Sequence, residues 1–592
     1  MPDSERVIIS GAAGAWGDSS LSTPQLLGDG RSDYIVYEGL AEITMAILSR
    51  AMANDPDLGY ARDIIETIAA NLDGYRQSGM KVITNAGGVN PHSAADLIKM
   101  TDPSLKVAVV SGDDVTGSEA VDRAGLSGRP LSVNVYLGAR PIAAALAAGA
   151  EIVVTGRIVD SALALGPLIH EFGWRPNDLD LLSAGSLAGH LIECGPQATG
   201  GLLTDWEDTV SWVHPGYPIA EVDADGSFVI TTPQDSNGLV DARSVTEQLL
   251  YEIGDPSAYL LPDVSCDWTQ VTVETVGSNR VSVSGARGYP PPKEFKACAQ
   301  IPDGWRAMSL LFIGGRDAVA KARRVGEDLI DRGRDMLARA GLGDFSAIHI
   351  EVLGAEDTYG SHARAGQSRE VLLKIGVHHP SRDAVTAFLR EIPSIGLSGP
   401  PGVTGGGMGL PRPTPLIRLE CFPVARETVH VRVEIDAMPV PYQESAVTGV
   451  QQSEPLRLKV DPYEGPSQTM PLIAIAHGRS GDKGSDVNIG IRARHPDLYP
   501  VLLRELTVDR VSSHLAHLGA ESVTRYELPG IQAVNFLLAG GLGAGGTASL
   551  RFDPQGKALA QQLLDVAVEV PRDLASHPAL RVPNALGTVS GP

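Results

Sequence analysis

Four short runs in the N-terminal third of the chain are almost wholly apolar, and each gives way to a polar segment containing glycine. Arg6 to Ser10 leads into Gly11-Ala12-Ala13-Gly14-Ala15-Trp16-Gly17-Asp18-Ser19, and Met80 to Thr84 leads into Asn85-Ala86-Gly87-Gly88. Val107 to Val110 leads into Ser111-Gly112-Asp113-Asp114, and Glu151 to Thr155 into Gly156-Arg157-Ile158-Val159-Asp160-Ser161. A strand that is apolar on both faces must be covered on both, which a parallel sheet flanked by helices provides. Stripes at helical spacing lie between the runs: Val36, Leu40, Ile43, Ile47 and Leu48, then Ile64, Ile68, Leu72 and Tyr75. The pattern predicts an α/β domain over residues 1–205, an open parallel sheet with helices on both faces. Ligands bind such sheets beyond the carboxyl ends of the strands, so the four loops point to one cleft.

Glycines let backbone approach a ligand closely, and their N–H groups form anion-binding concavities. Gly11 and Gly14, and separately Asn85, Gly87 and Gly88, are therefore candidate substrate-binding cradles. The first loop has GxxGxxG spacing rather than GxGxxG, which leaves a phosphate site, a plain ligand loop and a tight turn all open. Asp18 is a candidate catalytic carboxylate or, with Ser19, a helix cap. Arg157, Asp160 and Ser161 line the same cleft or form a structural pair. A helix beginning near Asp180 puts His190, Glu193 and Cys194 on one face. Glu193 is a candidate acid/base there, and a buried, hydrogen-bonded His190 is the plainer reading.

From about Trp206 the pattern turns to alternation, with Val271/Val273 and Val281/Val283 as paired strands. Met308 to Ile313, Arg316 to Ala340, Ala347 to Leu353, Glu370 to Val377, Arg382 to Ile392 and Val429 to Ile435 give a β-α-β-β-α-β, ferredoxin-like order. Residues 206–445 thus read as a mixed α+β region. The glycine-rich 396–409 segment is either a lid or a surface excursion. A proline-rich linker occupies 446–470, an α+β domain 471–570, and a loosely held tail 571–592.

The densest chemistry lies in that last domain. An apolar run, Leu472 to Ala476, predicts a strand ending in a loop that holds His477, Arg479, Ser480, Asp482 and Lys483 among glycines. His477 is the candidate base, because an imidazole titrates near neutral pH. Asp482 would orient it or act as acid. Lys483 and the forked guanidinium of Arg479 suit carboxylate or phosphate oxygens, with Ser480 and Asn488 beside them as substrate contacts. A salt-bridged surface turn is the alternative.

The chain has 592 residues, too many for one core. Its net charge of −23 argues against nucleic acid or an anionic membrane surface as partner. The four cysteines form no CxxC pair, which excludes a disulfide framework and fits a reducing cytoplasm. Neither a signal peptide nor a membrane-spanning run is evident. No cofactor or metal is expected, and a homo-oligomer is the default assembly.

The first glycine loop, Thr84-Asn85-Ala86-Gly87-Gly88-Val89-Asn90-Pro91, Thr155-Gly156-Arg157-Ile158-Val159-Asp160-Ser161-Ala162-Leu163, Glu193-Cys194-Gly195-Pro196-Gln197 and His477-Gly478-Arg479-Ser480-Gly481-Asp482-Lys483-Gly484 together resemble the acyclic terpene utilisation (AtuA) family. The resemblance implies a ferredoxin-like C-terminal domain and a place in the catabolism of branched acyclic terpenoids through acyl-CoA intermediates. The expected function is proton-transfer chemistry, hydratase- or lyase-like, on an acyl-CoA thioester or related small acyl carboxylate. A non-catalytic subunit serving an acyl-CoA carboxylase is the alternative, and hydrolysis through Ser161 or Cys194 a weaker one.

Overall fold

The computed structural model describes residues 5–404, 411–444, 447, 449 and 457–581. The expected lid from residue 405 onward, much of the expected linker and the tail beyond 581 lie outside them.

Five parallel strands form the heart of the fold: Arg6–Gly14, Tyr34–Glu38, Lys81–Thr84, Ile152–Thr155 and Val107–Ser111, side by side in that spatial order. Their side chains alternate between two cores. Val7, Ile9, Val36, Ile83, Val110 and Val153 enter one, against helices Arg140–Ala147, Ala162–Phe172 and Leu179–Ile192. Ile35, Tyr37, Val82, Val109 and Val154 enter the other, against Arg62–Ala70, Leu72–Ser78 and Pro91–Thr101. Burial on both faces is the reason the runs contain so few polar residues.

The sheet is mixed rather than wholly parallel. Antiparallel strands Ile219–Asp223, Phe228–Thr231, Arg280–Ser284 and Thr272–Gly277 extend one edge. Arg432–Ile435 and Met438–Pro439 extend the other, giving eleven strands drawn from both sides of the expected 205/206 division. Tyr34–Glu38 also corrects the expected helical stripe. Its β-favouring Tyr-Ile-Val-Tyr run pairs in the sheet, and the helix starts only at Glu42. Ile43 and Ile47 of that helix, expected in the core, stay partly exposed.

The middle block keeps the ferredoxin-like order with one substitution. Strand Glu370–His379 lies antiparallel between Glu294–Gly314 and Ala347–Leu353, which makes a split β-α-β unit around helix Ala318–Arg339. After helix Arg382–Glu391, the fourth position is filled by Val403–Thr404 and Thr414–Ala425. The expected fourth strand goes elsewhere: Arg432–Ile435 pairs with Val107–Ser111 in the large sheet.

In the terminal domain, hairpin Ala476–Lys483/Asp486–Ala493 pairs with Ala533–Ala539, which pairs with Ser522–Leu528. The supposed loop His477–Lys483 is thus a strand, and the run before it is a 3₁₀ turn, Leu472–Ala474. Strand alternation explains its composition. His477 and Arg479 point at the N-terminal body, while Ser480 accepts from Ala560 N–H and donates to Gly556 O. The segment Ala548–Phe552 is irregular. The closing helix is Leu559–Leu564, followed by strand Ala567–Pro571 paired with Ser467–Pro471. The described part of the tail is tied down, since Arg581 pairs with Asp208 at 2.9 Å. Among the described residues no helix is long and apolar enough to cross a membrane.

Gly11 marks a close approach of strand and helix: a Cβ there would lie 2.3 Å from Ile192 O. Gly11→Ala is expected to cost about 1–3 kcal/mol, read as a lower melting temperature. An unchanged melting curve would show that close packing does not require this glycine.

Candidate active site

A cavity of about 1020 Å³ opens where the sheet's strand ends, the middle block and the terminal hairpin meet. The large sheet contributes Glu38, Arg157 and Asp160 from residues just past or at its strand ends, and helix Leu179–Ile192 delivers Glu193 and Cys194 at its C-terminus. The middle strands add Lys296 and Cys421, and the turn after helix Ala242–Leu249 adds Tyr251 and Glu252. Asp482, Lys483 and Lys557 come from the terminal domain.

Gly14 explains how the helix end reaches this wall. A Cβ on Gly14 would sit 2.4 Å from the Cys194 carbonyl carbon, so a side chain there would push Glu193 and Cys194 away. Glu193 Oε1 lies 2.9 Å from His190 Nδ1, and the other ring nitrogen lies 3.3 Å from Leu249 O. Burial, the Lys483 charge and an apolar-aromatic setting beside Trp268 hold His190 neutral, its pKa down at about 4.

Eight carboxyl groups line the cavity with four cationic side chains, and the environments of six of those carboxyls drive their protonation apart. Burial and then the Asp160 charge push Glu38 up to about 8. Burial and then Glu252 push Asp482 up to about 7. Glu193, Glu252 and Asp160 are likewise raised, burial being the first cause of each. Glu42 goes the other way: although burial opposes ionisation, Lys296 and Arg157 hold it at about 2. Arg157 lies over the Tyr136 ring, 4.2 Å from its centroid, and donates to Asp160 at 3.1 Å and to Leu40 O. At neutral pH such a site holds both protonated and ionised carboxyls, the division of labour that acid/base catalysis needs.

Glu252 has an unusual backbone, with φ at +57° in the left-handed region that a β-carbon disfavours. Asn488 holds it there: its Oδ1 accepts from Glu252 N–H at 2.9 Å and its Nδ2 donates to Leu250 O at 2.6 Å. Asn535 continues the grip, donating to Ile253 O at 2.9 Å and Gly254 O at 2.8 Å. Strained residues held by their surroundings concentrate at functional sites.

The structure brings Asp482, Lys483, Glu193, Gly14, Arg157, Asp160 and Ser161 to this cavity. It does not bring His477 there. That ring is buried against the N-terminal body, Nδ1 3.0 Å from Glu247 Oε1 and Nε2 accepting from Arg492 at 3.4 Å, so both nitrogens are engaged in the domain seam. Burial lowers its pKa, with Glu247 opposing. Arg479 stands behind the wall, donating to Leu202 O and Gln197 Oε1 and lying 4.6 Å from the Tyr251 ring centroid. Ser480 fixes the segment carrying Lys557, and Asn488 fixes Glu252.

The remaining expected residues position neighbours. Asp18 accepts from Gly14 N–H at 3.0 Å and from Tyr217 OH at 3.1 Å, locking the first loop. Asn85 donates to Glu38 Oε1 at 3.0 Å and accepts from Gly39 N–H at 2.9 Å. Gly87 and Gly88 allow close packing against Thr155 O and Gly59 O, at 2.5 and 2.6 Å from a Cβ built on each, rather than lining the cavity.

Glu38, Glu42, Lys296 and Glu252 were not legible as site residues. Glu38 and Glu42 follow a strand in a polar, glycine-bearing segment, Glu38-Gly39-Leu40-Ala41-Glu42. That is the same signature as the other strand ends, masked by the helical stripe through Val36 and Leu40. Tyr251-Glu252-Ile253-Gly254-Asp255 carries a similar signal after a helix.

Among protein families, residues 7–435 match the one described as acyclic terpene utilisation family protein AtuA, and residues 470–569 match the AtuA ferredoxin-like domain. No curated protein and no solved structure matches the chain.

Two outcomes test the electrostatic picture. His477→Ala leaves buried Glu247 with Thr204 N–H but without its imidazole partner and is expected to cost about 1–3 kcal/mol of stability in urea denaturation; undiminished stability would detach His477 from the seam. Glu38 keeps its proton to about 8 when folded, against an ordinary value of 4.5. Between those values the folded chain holds more protons than the unfolded one, so this group's contribution falls as pH rises through that window. Glu38→Gln should therefore gain stability relative to the parent as pH rises from 5 to 9, and parallel pH profiles would contradict it.

Proposed function

The chain belongs to the acyclic terpene utilisation family AtuA, and from that premise we propose that its cavity is the active site of an acid/base enzyme acting on a branched acyl thioester or acyl carboxylate. The observation that carries the reading is the convergence of Glu252 from the N-terminal body with Asp482 and Lys483 from the terminal domain in one cavity.

Glu252 is the base in this proposal. Its raised pKa brings a carboxylate closer to the basicity that removing a proton next to a carbonyl requires. Lys483, an ammonium at the cavity wall, stabilises the enolate oxygen that this leaves. Asp482, near neutrality at about 7, is the acid: it protonates a hydroxyl at the neighbouring carbon, which departs as water. Run backward, the same groups add water to the double bond. Trp16, Ile43, Ile47 and Leu260, each between 38% and 49% exposed, line the same cavity and suit a branched hydrocarbon chain. Lys296, Lys483 and Lys557 supply cations to an anionic substrate in a cavity otherwise lined by carboxyl groups.

Nucleophilic hydrolysis has less support. Burial, with Glu193 next in effect, pushes the Cys194 thiol well up, away from the thiolate that attack requires. Among the described residues lining the cavity there is no histidine to activate Ser161.

The test is isotope exchange, which needs no product assay. The protein is incubated in D₂O with a panel of branched acyl-CoA thioesters and their free acids, and the substrate mass is followed. The expected result is deuterium uptake beside the carbonyl of at least one compound, lowered about 10²–10⁴-fold by Glu252→Gln with ligand-induced thermal shift retained. Binding of a thioester with no exchange would favour a carrier role over catalysis. Undiminished exchange in Glu252→Gln would remove Glu252 as the base.

A further inference from the structure

The four cysteines divide into two kinds. Cys194 and Cys266 stand apart from other thiols, and burial pushes both up. Cys298 and Cys421 are neighbours across two strands: Glu294–Gly314 pairs antiparallel with Thr414–Ala425, and the register sets Cys298 directly opposite Cys421. Directly opposed residues in such a pair have Cα atoms about 4.5–5.5 Å apart, inside the span of about 4.4–6.8 Å that a disulfide bridges. Both side chains emerge on the same face, and their sulfurs share a hydrogen bond at 3.2 Å. The register and the 3.2 Å sulfur separation bring the pair within reach of a covalent link.

The two sulfurs are not equivalent. Cys298 is buried, while Cys421 is exposed on the cavity wall. The shared hydrogen bond favours the ionised form of Cys421, burial opposes it, and the Lys296 ammonium favours it again. Lys296 precedes Cys298 by two residues and so lies on the same face of the strand. The same hydrogen bond, then burial, keeps the proton on Cys298. An accessible sulfur inclined to ionise, next to a protonated partner, is the division of roles between attacking and resolving cysteines.

We propose that Cys421 and Cys298 form a peroxide-responsive dithiol that closes into a disulfide across the cavity wall. The Cys421 thiolate attacks one oxygen of hydrogen peroxide, the O–O bond breaks, and the departing hydroxide takes a proton to become water. Cys421 is left as a sulfenic acid. The Cys298 sulfur then attacks the Cys421 sulfur, the S–O bond breaks, and the leaving hydroxide departs as water with the Cys298 proton. Two thiols have lost two electrons and one peroxide has become two waters; a dithiol reductant reverses the change by exchange. The link removes a sulfur and its charge from beside Lys296, so the oxidised protein presents a different wall to a ligand. The oxidation of this pair shares a wall with the cavity but does not rest on the reaction proposed for it.

The full-length protein is treated with a small molar excess of hydrogen peroxide, its remaining thiols are alkylated under denaturing conditions, and the digest is mapped by mass spectrometry. The expected result is a Cys298–Cys421 linked peptide lighter by two hydrogens, with Cys194 and Cys266 alkylated, and full reversal by dithiothreitol. Cys298→Ser is expected to stop at a dimedone-reactive sulfenic acid on Cys421, and Cys421→Ser to give neither product. Four free thiols after treatment that oxidises a glutathione control, or oxidation of Cys194 or Cys266 ahead of the pair, would overturn the proposal. The parent protein's peptide map decides the matter even where a serine variant folds poorly.

Discussion

Two side-chain amides hold the site in register. Asn488 and Asn535 are fully buried, bonded to each other at 3.1 Å, and take up the backbone of residues 250, 252, 253 and 254. A left-handed non-glycine residue costs on the order of 1–3 kcal/mol, and each net hydrogen bond returns about 1 kcal/mol. The grip is therefore of the size needed to keep Glu252 in place. Around it, Arg494 meets Asp205 through two bonds of 2.7 and 2.8 Å, and Thr204 bonds Gly478 in both directions. The seam between the two halves is polar and mostly paired, with Arg479 Nε and Gln248 Oε1 left without a partner among the described residues; paired buried polar groups specify one arrangement.

The seam also accounts for the cavity's acidity. Glu252 and Asp482 come from opposite sides of it; burial is the first cause that raises each, and the Glu252 charge raises Asp482 further because like charges in a poorly solvated space cannot all ionise. Lys296 and Arg157 relieve one end, where Glu42 ionises readily. Elsewhere burial outweighs the cations: Lys483 eases Glu252 and Lys557 eases Asp482, yet both carboxyls stay raised.

Much of this was open to reading in the amino-acid order, and the misreadings share a cause. Runs such as Val107 to Val110 declare a doubly covered strand because water touches neither face. Ala476–Lys483 concealed one because its buried side faces another domain rather than an oily core, so it carries His477 and Arg479. Local pattern identifies a core but not a polar seam formed by residues hundreds of positions away. Asp482 and Lys483 were legible as cavity residues because they stand near the hairpin turn. Glu252 was not, since nothing near it in sequence announces that Asn488 will clasp its backbone. Tyr34–Glu38 failed for a simpler reason: Val36 and Leu40 fit helical spacing as well as they fit the end of a strand and the turn after it.

The clasp has a consequence for how the molecule comes into being. Chains emerge from the ribosome N-terminus first, and the large sheet has its parallel strands long before Asn488 and Asn535 are made. Until those last hundred or so residues arrive, the newborn protein has a floor without a roof, and left-handed Glu252 lacks the amides that hold it. Chemistry of the kind assigned to the cavity is thereby withheld from every unfinished copy, and synthesis itself acts as the safety catch.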